Sequence, residues 1–355
     1  MSHLSPSRLL LALVPISLAL GIAHAAPTWV FLSACLAIVP LAGLMGEATE
    51  HLSHRAGPGL GGLLNASFGN AAELIIAFVA LRAGEQDLVK ASLTGSVIGN
   101  LLVVLGFAML FGGWRHSELR FSRLAAESGS SVMVLAVVAL VIPAIYALVT
   151  AHRHPDHIES ISFDISWILL LTYAASLVFS LKSHKALYSA AEDDAVELDA
   201  SIVRWSVRRS LGVLALSAAL VGWVSEYLVS AVGSAGEALG MGKVFMGVIV
   251  VAVVGNAAEH STAVLMAMKG KMNLALGIAM SSSMQIALFV APLLVIVGHF
   301  TGTPLGLEFT VLEIVAVMLS VGAVALLIHD GKTNWFEGLQ LLAIYAILAI
   351  AFFYA

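Results

Sequence analysis

Charged residues are scarce in this sequence. They make up 11% of its 355 residues, while hydrophobic residues make up 60%, whereas soluble domains carry about 25% charged residues. The composition therefore argues against a water-soluble enzyme, a disordered chain and a nucleic-acid-binding protein. Cysteine is almost absent as well, and the single Cys35 excludes a disulfide framework or a cysteine metal cluster.

Long apolar runs are abundant instead. A spanning helix needs about 20 apolar residues. Eleven such segments can be drawn, at residues 9–24, 28–48, 60–82, 88–112, 122–150, 163–182, 206–231, 243–268, 272–299, 307–329 and 335–355. The longest connection, residues 183–205, carries five acids and little apolar content. The sequence thus predicts an all-α polytopic membrane protein with an acidic linker near its middle.

The distribution of lysine and arginine predicts the orientation, because cytoplasmic loops are enriched in both. The sequence contains 17 lysine and arginine residues. If the N-terminus lies in the cytoplasm, the ones that fall on the outer side are Arg82, Lys90, Arg153 and Lys243. We therefore expect a cytoplasmic N-terminus and linker, in a bacterial-type inner membrane. Residues 1–27 are either a retained first helix or a cleaved signal, since Ala23-His24-Ala25 resembles a cleavage site.

Two segments nearly repeat each other at an offset of 186 residues (259 minus 73): Gly69-Asn70-Ala71-Ala72-Glu73 and Gly255-Asn256-Ala257-Ala258-Glu259. The same offset pairs Gly84 with Gly270, Ser96 with Ser282 and Glu127 with Glu313. Without the first helix, the halves are residues 28–182 and 206–355, with five helices each. Because five is odd, the second half enters from the opposite side. This predicts two inverted repeats, as in secondary transporters, with the substrate near the bilayer midplane.

Each repeated motif places a glutamate inside an apolar run. Asn70 and Glu73 share one helix face at a spacing of three, as do Asn256 and Glu259. An ionised acid at the bilayer centre costs about 2.5–3.5 kcal/mol, which favours function over helix packing alone. Two carboxylates brought together in low dielectric cannot both stay ionised without compensation. Protons or one divalent cation can neutralise them, and this is the minimum that cation/proton exchange requires.

The candidate ligand atoms are all oxygens, which favours Ca²⁺ over zinc or copper. They come from the Glu73, Glu259, Asn70 and Asn256 side chains and from backbone carbonyls near Gly69 and Gly255, where glycine would help the helix unwind.

Polar residues of the next helix in each half complete this shell, line the path, or only join helices by hydrogen bonds. They are Ser96, Asn100, Ser282 and Gln285. His260 faces away from Glu259 on a helix, so we favour a packing or relay role over ligation.

Four further acids have two interpretations each. Glu50 and Glu226 precede the two motifs, and either attract cations and pass protons or are ordinary helix-end charges. Glu127 and Glu313 either support a proton path or occupy capped positions near the interface.

Enzyme signatures are missing from the sequence. It contains no H-E-x-x-H and no G-x-S-x-G, and Gly331-Lys332-Thr333 lacks the upstream glycine of a phosphate-binding loop. We therefore expect no catalytic residues and no cofactor, and transport that is not driven by ATP. An intramembrane metalloenzyme using Glu259 and His260 is the remote alternative.

The runs from Met45 to Ile75, Gly95 to Gly106, Val254 to His260 and Ser282 to Leu288 resemble the cation/proton exchanger family of calcium/proton antiporters. The resemblance covers nearly the whole chain from about residue 28. It implies one extra helix plus five plus five, and export of Ca²⁺ from the cytosol driven by inward proton movement.

The resemblance also implies that Glu73 and Glu259 are the central Ca²⁺ ligands. Gly99 stands where a small polar residue is expected in that family, so Na⁺-coupled or broader cation/calcium exchange is the alternative. The predicted partners are the lipid bilayer, Ca²⁺ and protons, and self-association into a homo-oligomer is left open.

Overall fold

The structure is a computed structural model that describes residues 10–150, 155–183 and 205–355. This part of the chain is helical apart from one two-stranded ribbon and short connections. Within it, seven helices are long and apolar enough to cross a membrane, or eight if a broken pair counts as one span. The predicted all-α membrane protein is therefore confirmed. The acidic residues of the linker, 192–199, lie outside the described residues.

The described helices are α1 (Leu13–Ile22), α2 (Pro27–Phe68), α3 (Ala71–Arg82), α4 (Gln86–Arg115), α5 (Arg123–Val149), α6 (Pro155–Val178), α7 (Val207–Leu239), α8 (Lys243–Gly255), α9 (Ala257–Met268), α10 (Met272–Thr301), α11 (Val311–Leu327) and α12 (Trp335–Tyr354). Strand β1 (Leu119–Arg120) pairs antiparallel with β2 (Lys332–Thr333).

Local sequence explains where several helices begin and end. Pro27 opens α2, where its missing N–H costs nothing. Side-chain oxygens of Ser122 and Ser206 accept backbone N–H bonds at the starts of α5 and α7. Gly240 ends α7 with a φ of 70°, the left-handed conformation that glycine adopts readily.

Helix α2 differs from the prediction of separate segments at 28–48 and 60–82, because its backbone stays helical from Pro27 to Phe68. It does not run straight. A Cβ on Gly61 would collide with the carbonyl of Ser53, although eight residues of straight helix rise about 12 Å. The predicted break is therefore a sharp bend within α2, and the helix itself ends only at Phe68.

Helix boundaries recur at the offset of 186 residues. The bounds of α3 map onto those of α9, and the bounds of α4 map onto those of α10. Within α4 the backbone widens into a π-helical turn at Gly99–Val104, and within α10 it does so at Ile286–Val290. The two turns occupy corresponding positions, so the repetition extends from the sequence to an uncommon backbone feature.

The paired glycines between these helices also share a conformation. Gly84 has a φ of 80° and Gly270 a φ of 79°. Both lie in the left-handed region, which glycine enters without a steric cost, so each turn needs its glycine.

The chain packs as two compact units. The described residues of the first unit are 10–95, 205–258 and 352–355, and those of the second are 96–150, 155–183 and 259–351. In the first unit, α7 packs along α2, with α1 and α3 beside them. In the second unit, α10 packs against α5 and α6, and α11 packs against α5. Each unit thus combines helices from both halves of the sequence.

Candidate cation-binding site

Both repeated motifs lie at breaks between helices. Gly69 keeps helical backbone angles, whereas Asn70 departs from them with φ −101° and ψ 31°. In the second motif α8 ends at Gly255, and Asn256 has φ −89° and ψ 5°. The predicted unwinding is therefore found at the asparagines and not at the glycines. Such breaks leave backbone carbonyls of the preceding helix end without intrahelical partners, and cations use these as ligands.

In the first unit, Glu73 lies in the first turn of α3 and is only 8% exposed. A Cβ on Gly255 would stand 3.4 Å from Cγ of Glu73, so the end of α8 lies directly against the glutamate side chain. Gly255 therefore packs against Glu73, and its part in unwinding the helix stays a prediction.

The two asparagines are buried in the first unit. Nδ2 of Asn256 donates a hydrogen bond of 2.8 Å to the carbonyl of Ala252, which orients the amide. The amide oxygen is the atom that asparagine offers to a hard cation. Asn70 and Glu73 both lie in this unit, and a shared cation-binding role for them stays a prediction.

In the second unit, Glu259 lies in the first turn of α9. The hydroxyl of Ser282 in α10 donates to its carboxylate, and the Ser282 Oγ accepts a 2.8 Å bond from Nδ2 of Asn100 in α4. Oε2 of Glu259 is buried and has no hydrogen-bond partner among the described residues. A buried carboxylate oxygen without a donor is costly, and a proton or a cation would satisfy it.

The other predicted residues of the polar path are placed as follows. Ser96 is buried in α4, and Gln285 is half-buried directly before the π-helical turn of α10. His260 is half-buried, and its Nε2 has no hydrogen-bond partner in the described part of the chain.

The four further acids are in different surroundings. Glu50 is exposed and lies 3.8 Å from Nε2 of His54, and Glu226 is exposed on α7. Glu127 is exposed and accepts a 2.7 Å bond from Nε of Arg123.

Glu313 is buried and forms a capping box with Thr310 at the start of α11. Oε2 of Glu313 accepts from the Thr310 backbone N–H at 2.9 Å, and the Thr310 hydroxyl accepts from the Glu313 N–H. These contacts support the capping interpretation of Glu313, and its role in transport stays a prediction.

Sequence reasoning missed the close contact between α4 and α8 in the first unit. A Cβ on Gly95 would collide with the backbone of Val248, and a Cβ on Gly247 would lie 2.5 Å from Cβ of Ala91. Small residues on apolar helices were the available signal, since they let backbones approach closely in membranes. The partner helix could not be named from the sequence.

Broken apolar helices with a buried glutamate in the turn after each break define an ion-transporting membrane protein. The chain belongs to the sodium/calcium exchanger protein family, whose profile matches residues 26–182 and 209–354.

Curated relatives match almost the whole chain. It is 44% identical to the Ca²⁺/H⁺ antiporter of Aphanothece halophytica, over 97% of this chain and 95% of the relative. It is 42% identical to the Ca²⁺/H⁺ antiporter ChaA of Bacillus subtilis, over 96% of both chains.

Solved structures match the fold as well. The native structure of YfkE has 40% sequence identity and a TM-score of 0.85, over 98% of both chains. The H⁺/Ca²⁺ exchanger CAX has 12% identity and a TM-score of 0.71, over 98% of this chain and 92% of that chain. The latter likeness concerns the fold alone.

Proposed function

We propose that this protein is a secondary antiporter that exports Ca²⁺ from the cytosol in exchange for protons. The observation that carries the proposal is the repeated G-N-A-A-E motif. In both copies the motif lies at a helix break, and its glutamate lies in the first turn of the helix that follows. The names of the relatives at 42–44% identity support the choice of ions.

Glu73 and Glu259 are the carboxylates that carry the exchanged ions. When ionised, each offers oxygens to Ca²⁺, and when protonated it loses that charge, so loading with protons and loading with Ca²⁺ oppose each other. Asn70 and Asn256 supply amide oxygens, and Ser282 with Asn100 orients the Glu259 carboxylate. Amide and backbone oxygens are the further ligands in this proposal, since both suit a hard cation such as Ca²⁺.

The membrane topology we infer has eleven helices, one extra plus two inverted repeats of five. The recurrence of helix bounds and π-helical turns at an offset of 186 residues supports the repeat. The lysine and arginine distribution supports a cytoplasmic N-terminus and a cytoplasmic linker.

Everted membrane vesicles with an imposed pH gradient test the function. We expect Ca²⁺ uptake that collapses when the gradient is dissipated, and that is lost in Glu73→Gln and in Glu259→Gln. Glu118→Gln is the matched control, because Glu118 is exposed directly before β1 and its variant makes the same charge change outside the helices. Normal proton-driven uptake by Glu73→Gln would refute the assignment of that carboxylate.

Sodium coupling is the second candidate, because the family profile is that of sodium/calcium exchangers. The same vesicles with a Na⁺ gradient and clamped pH discriminate between the two. Ca²⁺ uptake under a Na⁺ gradient alone would show that Na⁺, and not the proton, is the ion exchanged for Ca²⁺.

A further inference from the structure

An open groove of about 430 Å³ lies in the first unit between α1, α2 and α7. Its walls are mainly apolar, with Val14, Leu44, Leu216 and Leu220 among them. The lining residue with a full charge is Arg209, in the first turn of α7. From Arg209 to Leu220 the helix rises about 16 Å, so the groove has a charged end and a long apolar body.

The charged end is built around Trp205. The Arg209 guanidinium lies 4.3 Å from the centre of the Trp205 ring. The ring centre of His51, in α2, lies 4.7 Å from the same Trp205 ring centre. Nε of Arg55 donates a 2.7 Å bond to the Trp205 carbonyl. Trp205 is therefore held by α2, and it holds Arg209 at the mouth of the groove.

The charge of Arg209 is not neutralised within the described part of the chain, where no carboxylate lies within ion-pair distance of it. Arg208 beside it is exposed too, but it does not line the groove. A groove with this polarity complements an amphiphile that has a negative head and an apolar chain.

We propose that this groove binds an anionic diacyl phospholipid, with the headgroup phosphate at Arg209 and one acyl chain along α7. Arginine presents paired N–H donors that match phosphate oxygens. Tryptophan is typical of membrane–water interfaces, and basic pockets between helices are typical of contacts with anionic headgroups. The apolar walls favour a lipid over a soluble anion, because burying apolar surface against an acyl chain is favourable and a soluble anion has no such chain. The proposal rests on the membrane placement of α1, α2 and α7, and it is independent of which ions are exchanged.

Native mass spectrometry of the purified full chain tests this proposal. The protein is equilibrated with equal amounts of phosphatidylglycerol and phosphatidylcholine that carry the same acyl chains, and the retained lipid is counted. We expect about tenfold preference for one bound phosphatidylglycerol, because phosphatidylcholine carries the same phosphate but adds a quaternary ammonium that the Arg209 charge repels. Arg209→Gln should abolish the preference, whereas Arg208→Gln, with the same charge change outside the groove lining, should keep it.

Further variants guard against misfolding and identify other occupants. Val213→Trp, which fills the groove, should lower retention, and Arg209→Lys should lower it less than Arg209→Gln; the thermal unfolding midpoint checks the fold of each. Equal losses in Arg208→Gln and Arg209→Gln, or equally strong binding of glycerol phosphate, would overturn the proposal. It would also fail if Val213→Trp changed the oligomer mass but not lipid retention, or if the lipid bound only after the acids of residues 192–199 were neutralised.

Discussion

The side chain of Glu73 lies against the backbone of Gly255, the first residue of the second copy of its own motif. A Cβ at Gly255 would stand 3.4 Å from Cγ and 3.7 Å from Oε1 of Glu73. The second motif therefore contributes more than its own glutamate, because its glycine also shapes the surroundings of the first one.

Enlarging Gly255 should displace Glu73. An added Cβ alone is at the edge of ordinary contact, so we expect Gly255→Ala to be tolerated. The branched side chain of Gly255→Val should overpack the site at a cost of about 1–3 kcal/mol and strongly reduce proton-driven Ca²⁺ uptake in vesicles. Gly212→Val is the control, because a Cβ there meets no atom within 4 Å. Unchanged uptake by Gly255→Val would show that Glu73 does not need its present position.

Removing the Ser282 hydroxyl should affect Glu259 and Asn100 together. In Ser282→Ala the Asn100 amide loses its acceptor and the Glu259 carboxylate loses a donor. A buried unsatisfied group costs about 1–3 kcal/mol, so we expect a lower thermal midpoint and a weaker apparent affinity for Ca²⁺.

Ser283→Ala is the matched control for that experiment. Ser283 is equally buried but bonds back to the carbonyl of Ala279 in its own helix, at 2.9 Å. If both alanine variants transport Ca²⁺ alike, Ser282 has no role in orienting the glutamate.

The capping box at the start of α11 should contribute to stability. Thr310→Ala removes the side-chain acceptor of the Glu313 N–H and one donor to its carboxylate. We expect a loss of about 0.5–2 kcal/mol in the free energy of unfolding, visible as a lower thermal midpoint in detergent. Transport per folded molecule should stay the same. A Glu313→Gln variant with a normal midpoint and no transport would instead place Glu313 on the ion path.

The pKa of Glu118, directly before β1, should depend on Arg120. A hydrogen bond from Arg120 is the main cause that holds the Glu118 pKa below its ordinary value of 4.5. Because the folded pKa is depressed, the contribution to stability is present above pH 4.5 and is lost as the pH falls through the folded pKa. Arg120→Gln should raise the Glu118 pKa, measured by carboxyl NMR titration with Glu118→Gln to assign the signal. An unchanged titration would exclude Arg120 as the cause.

Much of the architecture could be predicted from the sequence, because membrane-spanning helices are recognised by long runs of apolar residues. The position of each break could be predicted as well, since glycine and asparagine interrupt an apolar run at 69–70 and 255–256. The non-helical backbone falls on the asparagine of each motif, and the packing of Gly255 against Glu73 joins segments that are far apart in the sequence.

Other features depend on tertiary contacts that no local pattern encodes. The bend in α2 shows only as an approach of Gly61 to Ser53. Glu313 recurs at the motif offset with Glu127, yet the first is buried in a capping box and the second is exposed beside Arg123. Equal spacing predicted equal roles for them, but their neighbours differ.

The π-helical turns in α4 and α10 set the direction in which the side chains beyond each turn point around the helix axis. Each turn adds one residue, which rotates everything beyond it by about 100° relative to a continuous α-helix. In α4 this lets Asn100 reach Ser282 while Gly106, beyond the turn, packs close to the carbonyl of Gly338. Deleting a single residue from 101–104, where Leu and Val each occur twice, would leave every side-chain type in place, yet one of the two contacts would be lost. The count of residues in these helices is therefore as much a part of the site as their chemistry.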